Sequence, residues 1–510
     1  MKSIIIKYNG EHWEGNNHNY DSFIDALYGV STDYEYVGWV FFPEEEKFIV
    51  EKINKEQENG VPQMVTFGSS LFSDDADYLE FSNVYFNQYS HTENESFDTW
   101  RIKQNCGYIK SSILKTFNKQ YFPKAYSVSL AVLAYASYAS GAVVSVSTIE
   151  NFNFQKLPLF TTKEYLLFIN YIKKKKWLLY FTLCKFLYER KIVFSIKNFF
   201  NSNYKNYFIE AGLWNTIAVE NNKTFEQKKV DVLIPTLGRP NYLYDVVSDL
   251  NKQEFKIEKL IIVEQKLPNQ TKTLLEKILK TNWNFPIQHF LLDQIGLCNA
   301  RNFGMEKSTS DYVLMFDDDV RIEYQKNFIY NLLKKIELSN AYAISFGTNG
   351  KKGEVAIKMT NELAGGASLL KRKNYPPFNK QIEGMGSDDQ EYNFSVRSKF
   401  RRVVCTDEVY VNHLKAKVGG WRFDASNYLP WYKDNNIIPL PGPATLYRYL
   451  KFATPNQIKG YKLFVFFKYY KSKPWRYFEF NKRWNKSIYW AKQIQQDNVY
   501  FNSMDGIIKE

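Results

Sequence analysis

The chain has 510 residues, too many for one ordinary domain, so two or three are expected. It is 45% hydrophobic and 24% charged, with 38 Tyr, 40 Phe and 11 Trp but only 24 Gly and 16 Pro, which excludes extended disorder, collagen and low-complexity sequence. Lys and Arg number 67 against 54 Asp and Glu; the net +13 favours anionic partners such as phosphates or lipid head groups, although an AT-rich genome gives the same residue bias with no partner.

The start, MKSIIIKYNGEHWEG, has a three-residue apolar run and then polar residues, unlike a signal peptide. DYEYVGWVFFPEEE, from Asp33, reads as a strand that ends at Phe41, Phe42 and Pro43. The stretch from Ala125 to Ile149 is uncharged and long enough to span a bilayer. It contains Ser127, Ser129, Ser137, Ser140, Ser145 and Ser147, so a buried helix running into a strand is expected instead. Leu157 to Ile217 is rich in Lys and aromatics and reads as helices. Cys106, Cys184, Cys298 and Cys405 are far apart, with neither metal-ligand nor redox spacing, and a reducing cytoplasm fits them.

Val230 to Ile234 is a short apolar run suited to a buried parallel strand. Pro235, Gly238 and Pro240 break it, and Tyr242, Val246, Val247 and Leu250 then recur at helical spacing. A second run, Leu260 to Val263, closes a βαβ unit with a right-handed crossover. Another strand, Tyr312–Phe316, runs into Asp317, Asp318 and Asp319. Strands alternating with helices predict an α/β domain from about Lys228 to about Arg422.

SDYVLMFDDDV, from Ser310, echoes the strand at Asp33, and AGGASLLKRKNYPPFN echoes the earlier NCGYIKSSILKTFN. Matching Tyr36 with Tyr312 places Phe41, Phe42 and Pro43 where the three aspartates stand. The first 155 residues are therefore expected to be a degenerate copy without the charged triad; chance similarity of two strand patterns is the competing reading. The copy also has too few residues before its strand for a full first half.

Three adjacent carboxylates at the exposed end of a strand repel one another and call for a cation or a donor network. Oxygen ligands suit Mg²⁺ or Mn²⁺, and ligands of open α/β sheets collect at the carboxyl ends of strands. A solvated acidic turn is the bland alternative. Arg301, in GLCNARNFG, can grip a phosphate or a carboxylate. Gly365 and Gly366 permit close backbone approach to a ligand. Asp388 and Asp389 follow a glycine turn in the first turn of a helix, where they serve as a general base or merely as a helix cap. His413 follows Val409 and Val411 at alternate positions; alone it would be structural.

IPTLGRP at Ile234–Pro240, IIVEQ at Ile261–Gln265, GLCNARNFG at Gly296–Gly304, FDDDV at Phe316–Val320, GGASLL at Gly365–Leu370, SDDQEY at Ser387–Tyr392 and NHL at Asn412–Leu414 stand in one order. In that order the sequence resembles the family 2 glycosyltransferases, which have the nucleotide-sugar-binding GT-A fold. HLKAKVGGWR and the following tail further resemble a subgroup typical of Bacteroidetes that serves surface polysaccharides.

The resemblance implies an inverting hexosyltransferase that moves a sugar from a nucleotide-diphosphate donor to an acceptor hydroxyl, saccharide or lipid-linked, with Mn²⁺ or Mg²⁺. Asp319 is the first-choice metal ligand, with Asp317 and His413. Asp317, Asp318, Arg301 and Gly366 would face the donor, whose nucleoside would lie over Pro235, Thr236 and Arg239 with its base near Glu264. Asp389 takes the base position, beside Asp388. Two departures stand out: Glu264-Gln265 replaces a pair of aspartates, and Asp388 replaces a glutamate.

The expected organisation is an N-terminal α/β, degenerate GT-A-like domain at 1–155 and a basic aromatic helical connector at 156–227. A catalytic GT-A domain at 228–425 and a helical extension at 426–510 follow. The basic aromatic segments Leu157–Ile217 and Leu446–Ile494 are expected to pack the domains. The alternative is contact of Lys173–Lys176, Arg476, Lys482 and Arg483 with the inner face of the cell membrane. A nucleotidyltransferase would need a glycine-rich basic loop where TLGRPN has one glycine, and no nucleic-acid-binding signature is present, which disfavours a non-catalytic basic protein.

Overall fold

The computed structural model describes residues 3–56, 63–80, 96–147, 152–192, 228–416 and 437–496, apart from 268, 361, 362, 400 and 472. The chain divides into two compact units, Met1–Glu220 with Thr454–Leu463, and Asn221–Ala453 with Phe464–Glu510. Residues 193–217 of the first basic segment, and the end expected near Arg422 for the α/β domain, lie outside the described residues.

The strands of the first unit are β1 (Ser3–Tyr8), β2 (Trp13–Gly15), β3 (His18–Tyr20), β4 (Tyr36–Val40), β5 (Gln63–Phe67), β6 (Ser96–Asp98), β7 (Cys106–Lys110) and β8 (Val143–Ser147). They form one sheet in the order β3-β2-β1-β4-β7-β5-β8-β6. The uncharged stretch is a helix, Tyr126–Ala139, running into β8. Its alanines and serines let the backbone pack closely: Ser129, Ala131, Ala134 and Ser137 are fully buried. Among the described residues no helix is long and apolar enough to cross a membrane.

The second unit has β9 (Val230–Thr236), β10 (Lys259–Gln265), β11 (Ile287–Leu292), β12 (Tyr312–Phe316), β13 (Val320–Arg321), β14 (Ala343–Gly347), β15 (Lys358–Met359), β16 (Ala367–Lys371), β17 (Val403–Tyr410) and β18 (Asn412–His413). Its sheet runs β11-β10-β9-β12-β16-β14-β17-β15, with β13 and β18 forming a separate ribbon. All seven residues of β9 are buried, as a parallel strand covered on both faces requires. The following helix, Pro240–Leu250, starts on a proline, whose missing N–H costs nothing there. Its buried stripe is Leu243, Val246, Val247 and Leu250; Tyr242 stands half-exposed. The helix Leu297–Lys307 lies so close to β9 that a Cβ on Gly304 would fall 2.1 Å from Leu233 Cδ1, which accounts for the last glycine of GLCNARNFG.

The two sheets share a plan. From β1 and from β9, successive pairings are parallel, antiparallel, antiparallel, parallel and antiparallel. Tyr36 pairs with Lys110 as Tyr312 pairs with Lys371, and Val40 with Cys106 as Phe316 with Ala367. Phe117-Asn118-Lys119-Gln120 recurs as Phe378-Asn379-Lys380-Gln381, and each Asn side chain accepts the backbone N–H two residues on. The sheets differ beyond β1, where the antiparallel hairpin β2–β3 stands in place of the parallel β10 and β11. A hairpin needs only a turn where parallel strands need crossovers, which is how so short an N-terminal segment completes a sheet.

At the carboxyl edge of the first sheet, Phe41 stacks on Tyr8 at 4.8 Å and meets Tyr126 at 5.3 Å, and Trp13 packs on Tyr126 at 5.0 Å. Asn105, the register match of Gly366, donates to Glu45 Oε1 at 3.0 Å and to the Gln155 carbonyl at 2.7 Å. In the basic segment Lys174, Lys175 and Lys176 are exposed, but two other lysines are paired within the unit. Lys173 pairs with Glu80 at 2.8 Å, and Lys185, 3% exposed, pairs with Asp75 and Glu189. Lys173 is thus held by its own unit rather than offered to a membrane.

Candidate active site

The three aspartates after β12 are offset by cations from elsewhere in the unit, and Arg239 Nη1 serves two of them, at 2.8 Å from Asp318 Oδ1 and 3.4 Å from Asp319 Oδ2. Asp318 is buried and accepts from Thr236 Oγ1 at 2.7 Å and Arg239 Nη1 at 2.8 Å. Asp319 is also buried, not exposed as a strand end suggests. It accepts from the Ala416 N–H at 2.8 Å and lies 3.1 Å from His413 Nε2. The ribbon makes this contact: β13 pairs Val320 with His413, and the Leu414 N–H donates to the Asp319 carbonyl at 2.9 Å. Asp317 lies 3.6 Å from Arg301 Nη2.

Burial lifts the Asp317 carboxyl to about 6; Arg301 opposes the shift, and Asp389, Asp318 and Asp319 add to it. Burial also pushes Asp319 upward, but the His413 hydrogen bond, the Ala416 N–H and the positive neighbours outweigh it and hold it below the usual range. His413 is raised by its hydrogen bond to Asp319. One ligand atom from each of Asp317, Asp319 and His413 can be chosen so that all lie within 4.8 Å of one another. Two carboxylates and an imidazole suit a hard or borderline divalent cation, and they carry a net negative charge for it to neutralise.

The paired glycines make room for this chain's own side chains. A Cβ on Gly366 would lie 1.9 Å from Asp317 Oδ1, and one on Gly365 would lie 2.1 Å from Asp389 Oδ1. The close approach expected there is by Asp317, Asp389 and Arg301.

Arg301 is 3% exposed and joins the two acidic groups. Its Nη1 lies 2.9 Å from Asp389 Oδ1 and 3.3 Å from Asp388 Oδ2. Its guanidinium stands over the Phe378 ring at 5.1 Å, and Asn302 fixes Phe378 by bonding both its N–H and its carbonyl. Asp388 and Asp389 open the helix Asp388–Arg397 behind Ser387, whose φ of 79° is left-handed and strained for a residue with a Cβ. Burial, then the charge of Asp389, raises the Asp388 carboxyl, with Arg301 opposing. The Asp389 side chain is the more open of the two, 44% exposed against 24%.

Pro235 and Thr236 end β9, and Glu264 lies near the end of β10, in register with Thr236. The Glu264 carboxylate is already engaged by Gln270, Thr273, the Leu274 N–H and His289. Burial raises it, and these hydrogen bonds, that of His289 foremost, bring it below the usual range. In this arrangement it fastens Gln270, Thr273 and Leu274 to the sheet.

Other contributors went unread in the sequence. Glu383 accepts the N–H groups of Cys298 and Asn299 and so caps the helix that carries Arg301. Tyr447, Thr445 and Lys451, from the helix Pro443–Phe452, brace the acidic loop. Tyr447 bonds Asn379 and Gln381, Thr445 meets Ser387 at 3.2 Å, and Lys451 pairs with the buried Glu391 at 2.7 Å. A glutamate just before GMGSDD was the only available signal.

Residues 231–401 match Glycosyl transferase family 2. The α/β GT-A class expected from the motifs holds for this unit. A comparison with curated proteins gives no match. Among solved structures, Staphylococcus aureus TarS 1-349 in complex with UDP-GlcNAc is similar at 13% identity, over 55% of this chain and 89% of that one, with a TM-score of 0.35. The mannosyltransferase PcManGT from Pyrobaculum calidifontis, in complex with GDP-Man and Mn²⁺, is similar at 15% identity over 53% and 88%, with a TM-score of 0.33.

Proposed function

We propose that this chain, a glycosyltransferase by its family 2 domain over residues 231–401, transfers a sugar with inversion from a nucleotide-diphosphate donor to an acceptor hydroxyl. The observation that carries the reading is the bridge made by Arg301. One guanidinium touches Asp317 on one side and Asp388 and Asp389 on the other, so a cation-binding pole and a proton-accepting pole face each other across it. The donor diphosphate belongs at the first pole and the acceptor at the second.

Asp317, Asp319 and His413 would hold Mn²⁺ or Mg²⁺. Such an ion would neutralise the charge that gathers on the leaving diphosphate. The acceptor oxygen attacks the anomeric carbon, its proton passes to Asp389, and the bond from that carbon to the phosphate oxygen breaks with its electrons on the nucleotide. Attack from the side opposite the diphosphate gives inversion. Arg301 keeps the Asp389 carboxylate oriented, and Asp318 fixes Thr236 and Arg239 where the nucleoside would lie.

We further place the acceptor in surface polysaccharide or glycolipid assembly, on the resemblance of the segment that begins at His413. The cytoplasm is the proposed compartment, supported by four free cysteines. The N-terminal unit is read as a GT-A-like copy without catalysis, since Phe41, Phe42 and Pro43 offer no side-chain ligand. A thermal-shift screen of nucleotide sugars with and without Mn²⁺ tests the function, because a bound donor raises apparent stability by mass action. Stabilisation by one class of nucleotide sugar, greater with Mn²⁺, is expected; no response to any of them would contradict the reading.

A further inference from the structure

The helix Tyr477–Gln495 uses one face for the core, where Phe480, Trp484, Ala491 and Ile494 are buried. Its other face carries Phe478 at 81% exposure and, at helical intervals, the exposed Lys482, the half-buried Lys486 and Tyr489 at 52%. Just before the helix, Trp475 is 71% exposed, and Tyr469 at the end of the preceding helix is 55% exposed. Two large rings this open have no packing role in their own unit.

The charge around them is one-sided. Residues 468–486 contain seven Lys or Arg and a single acidic residue, Glu479. Glu479 is already neutralised by a bidentate pair with Arg476, at 2.6 Å through each nitrogen. Lys468, Lys471, Lys473 and Lys482, in the same stretch of chain as the rings, are exposed. Exposed aromatic side chains interspersed with exposed lysines match the head-group zone of an anionic bilayer, where rings settle at the interface and lysines meet lipid phosphates.

We propose that this face is a peripheral membrane-docking surface, with Trp475 and Phe478 entering the interface of an anionic leaflet and the lysines holding its phosphates. Charge complementarity commits it to anionic lipid. The proposal does not rest on the transfer chemistry, since none of these residues belongs to the site described above.

The test is flotation of the full chain with phosphatidylcholine vesicles, with and without phosphatidylglycerol, at low and high salt. Wild type should float only with phosphatidylglycerol and should be released by salt. The double variant Trp475→Ser, Phe478→Ser should partition about tenfold less. A triple variant, Lys471→Gln, Lys473→Gln, Lys482→Gln, should lose the preference for phosphatidylglycerol. All of these side chains are exposed, so circular dichroism and the thermal midpoint should not change. No flotation of wild type at low salt overturns the proposal. So does flotation that survives both variants, or tighter binding to a single-stranded oligonucleotide than to the anionic vesicles.

Discussion

Phe41 and Asp317 occupy the same position in two sheets of the same plan, each the first residue after a strand whose register is fixed by Tyr36–Lys110 in one and Tyr312–Lys371 in the other. What differs is the space beside them. Gly366 leaves room for the Asp317 carboxylate, whereas its match Asn105 fills that place with an amide bonded to Glu45 and Gln155. Asp317 remains available to a cation, and Phe41 is packed among Tyr8 and Tyr126.

Gly366→Ala should keep the fold and lose the donor. The new methyl would displace the end of a movable carboxylate, not backbone, so the cost in stability should stay within about 1–3 kcal/mol. Donor affinity in the presence of Mn²⁺ should fall sharply. Wild-type affinity in a folded variant would show that the position of Asp317 does not matter.

Arg239→Met should cost stability as well as donor contact. It strips the buried Asp318 of its cationic partner and takes a second positive neighbour from Asp319, a loss worth about 3–5 kcal/mol. Urea unfolding of the second unit is the measurement. A midpoint within error of wild type would mean that Asp318 is not held by this pair.

Asp389→Asn removes the proton acceptor with little change of shape. Transfer should fall by about 10²-fold or more while donor binding persists. If donor affinity collapses instead, Asp389 belongs to the donor site.

Glu45 gives a pH dependence in the first unit. Burial, partly offset by the Asn105 hydrogen bond, raises its carboxyl to about 7. A carboxyl raised on folding stabilises the fold below its unfolded pKa, and that contribution is lost as pH climbs from about 4.5 through about 7. Glu45→Gln keeps an acceptor for Asn105 and removes the ionisation. It should match wild type near pH 4.5 and exceed it at pH 8, by on the order of 2–3 kcal/mol. Equal stability at pH 8 would show that the carboxyl ionises freely.

The sequence made the parallel strands easy to read because strands covered on both faces are unbroken apolar runs: β12 falls on Tyr312–Phe316, and β9 extends the expected run by two residues to Thr236. The fates of the three aspartates were not readable. They depend on Thr236 and Arg239, 82 and 79 residues away from Asp318, and on a two-residue ribbon too short to have a period. The cap from Glu383 and the brace from Tyr447 join positions 85 and 66 residues apart, where no local pattern reports the contact. The echo of NCGYIKSSILKTFN in AGGASLLKRKNYPPFN continues for two more residues, into Lys119-Gln120 and Lys380-Gln381, and that shared string is the most legible mark of the common plan.

Whether Asp319 holds a cation for the donor is decided by calorimetric titration of a nucleotide-diphosphate sugar into the full chain, with Mn²⁺ and with chelator, for wild type and Asp319→Asn. Asn can still accept the Ala416 N–H, so the variant should fold. One donor should bind per chain in wild type, with dependence on Mn²⁺ that is lost in Asp319→Asn. Two donors per chain, or binding unchanged by both the chelator and the substitution, would contradict this reading.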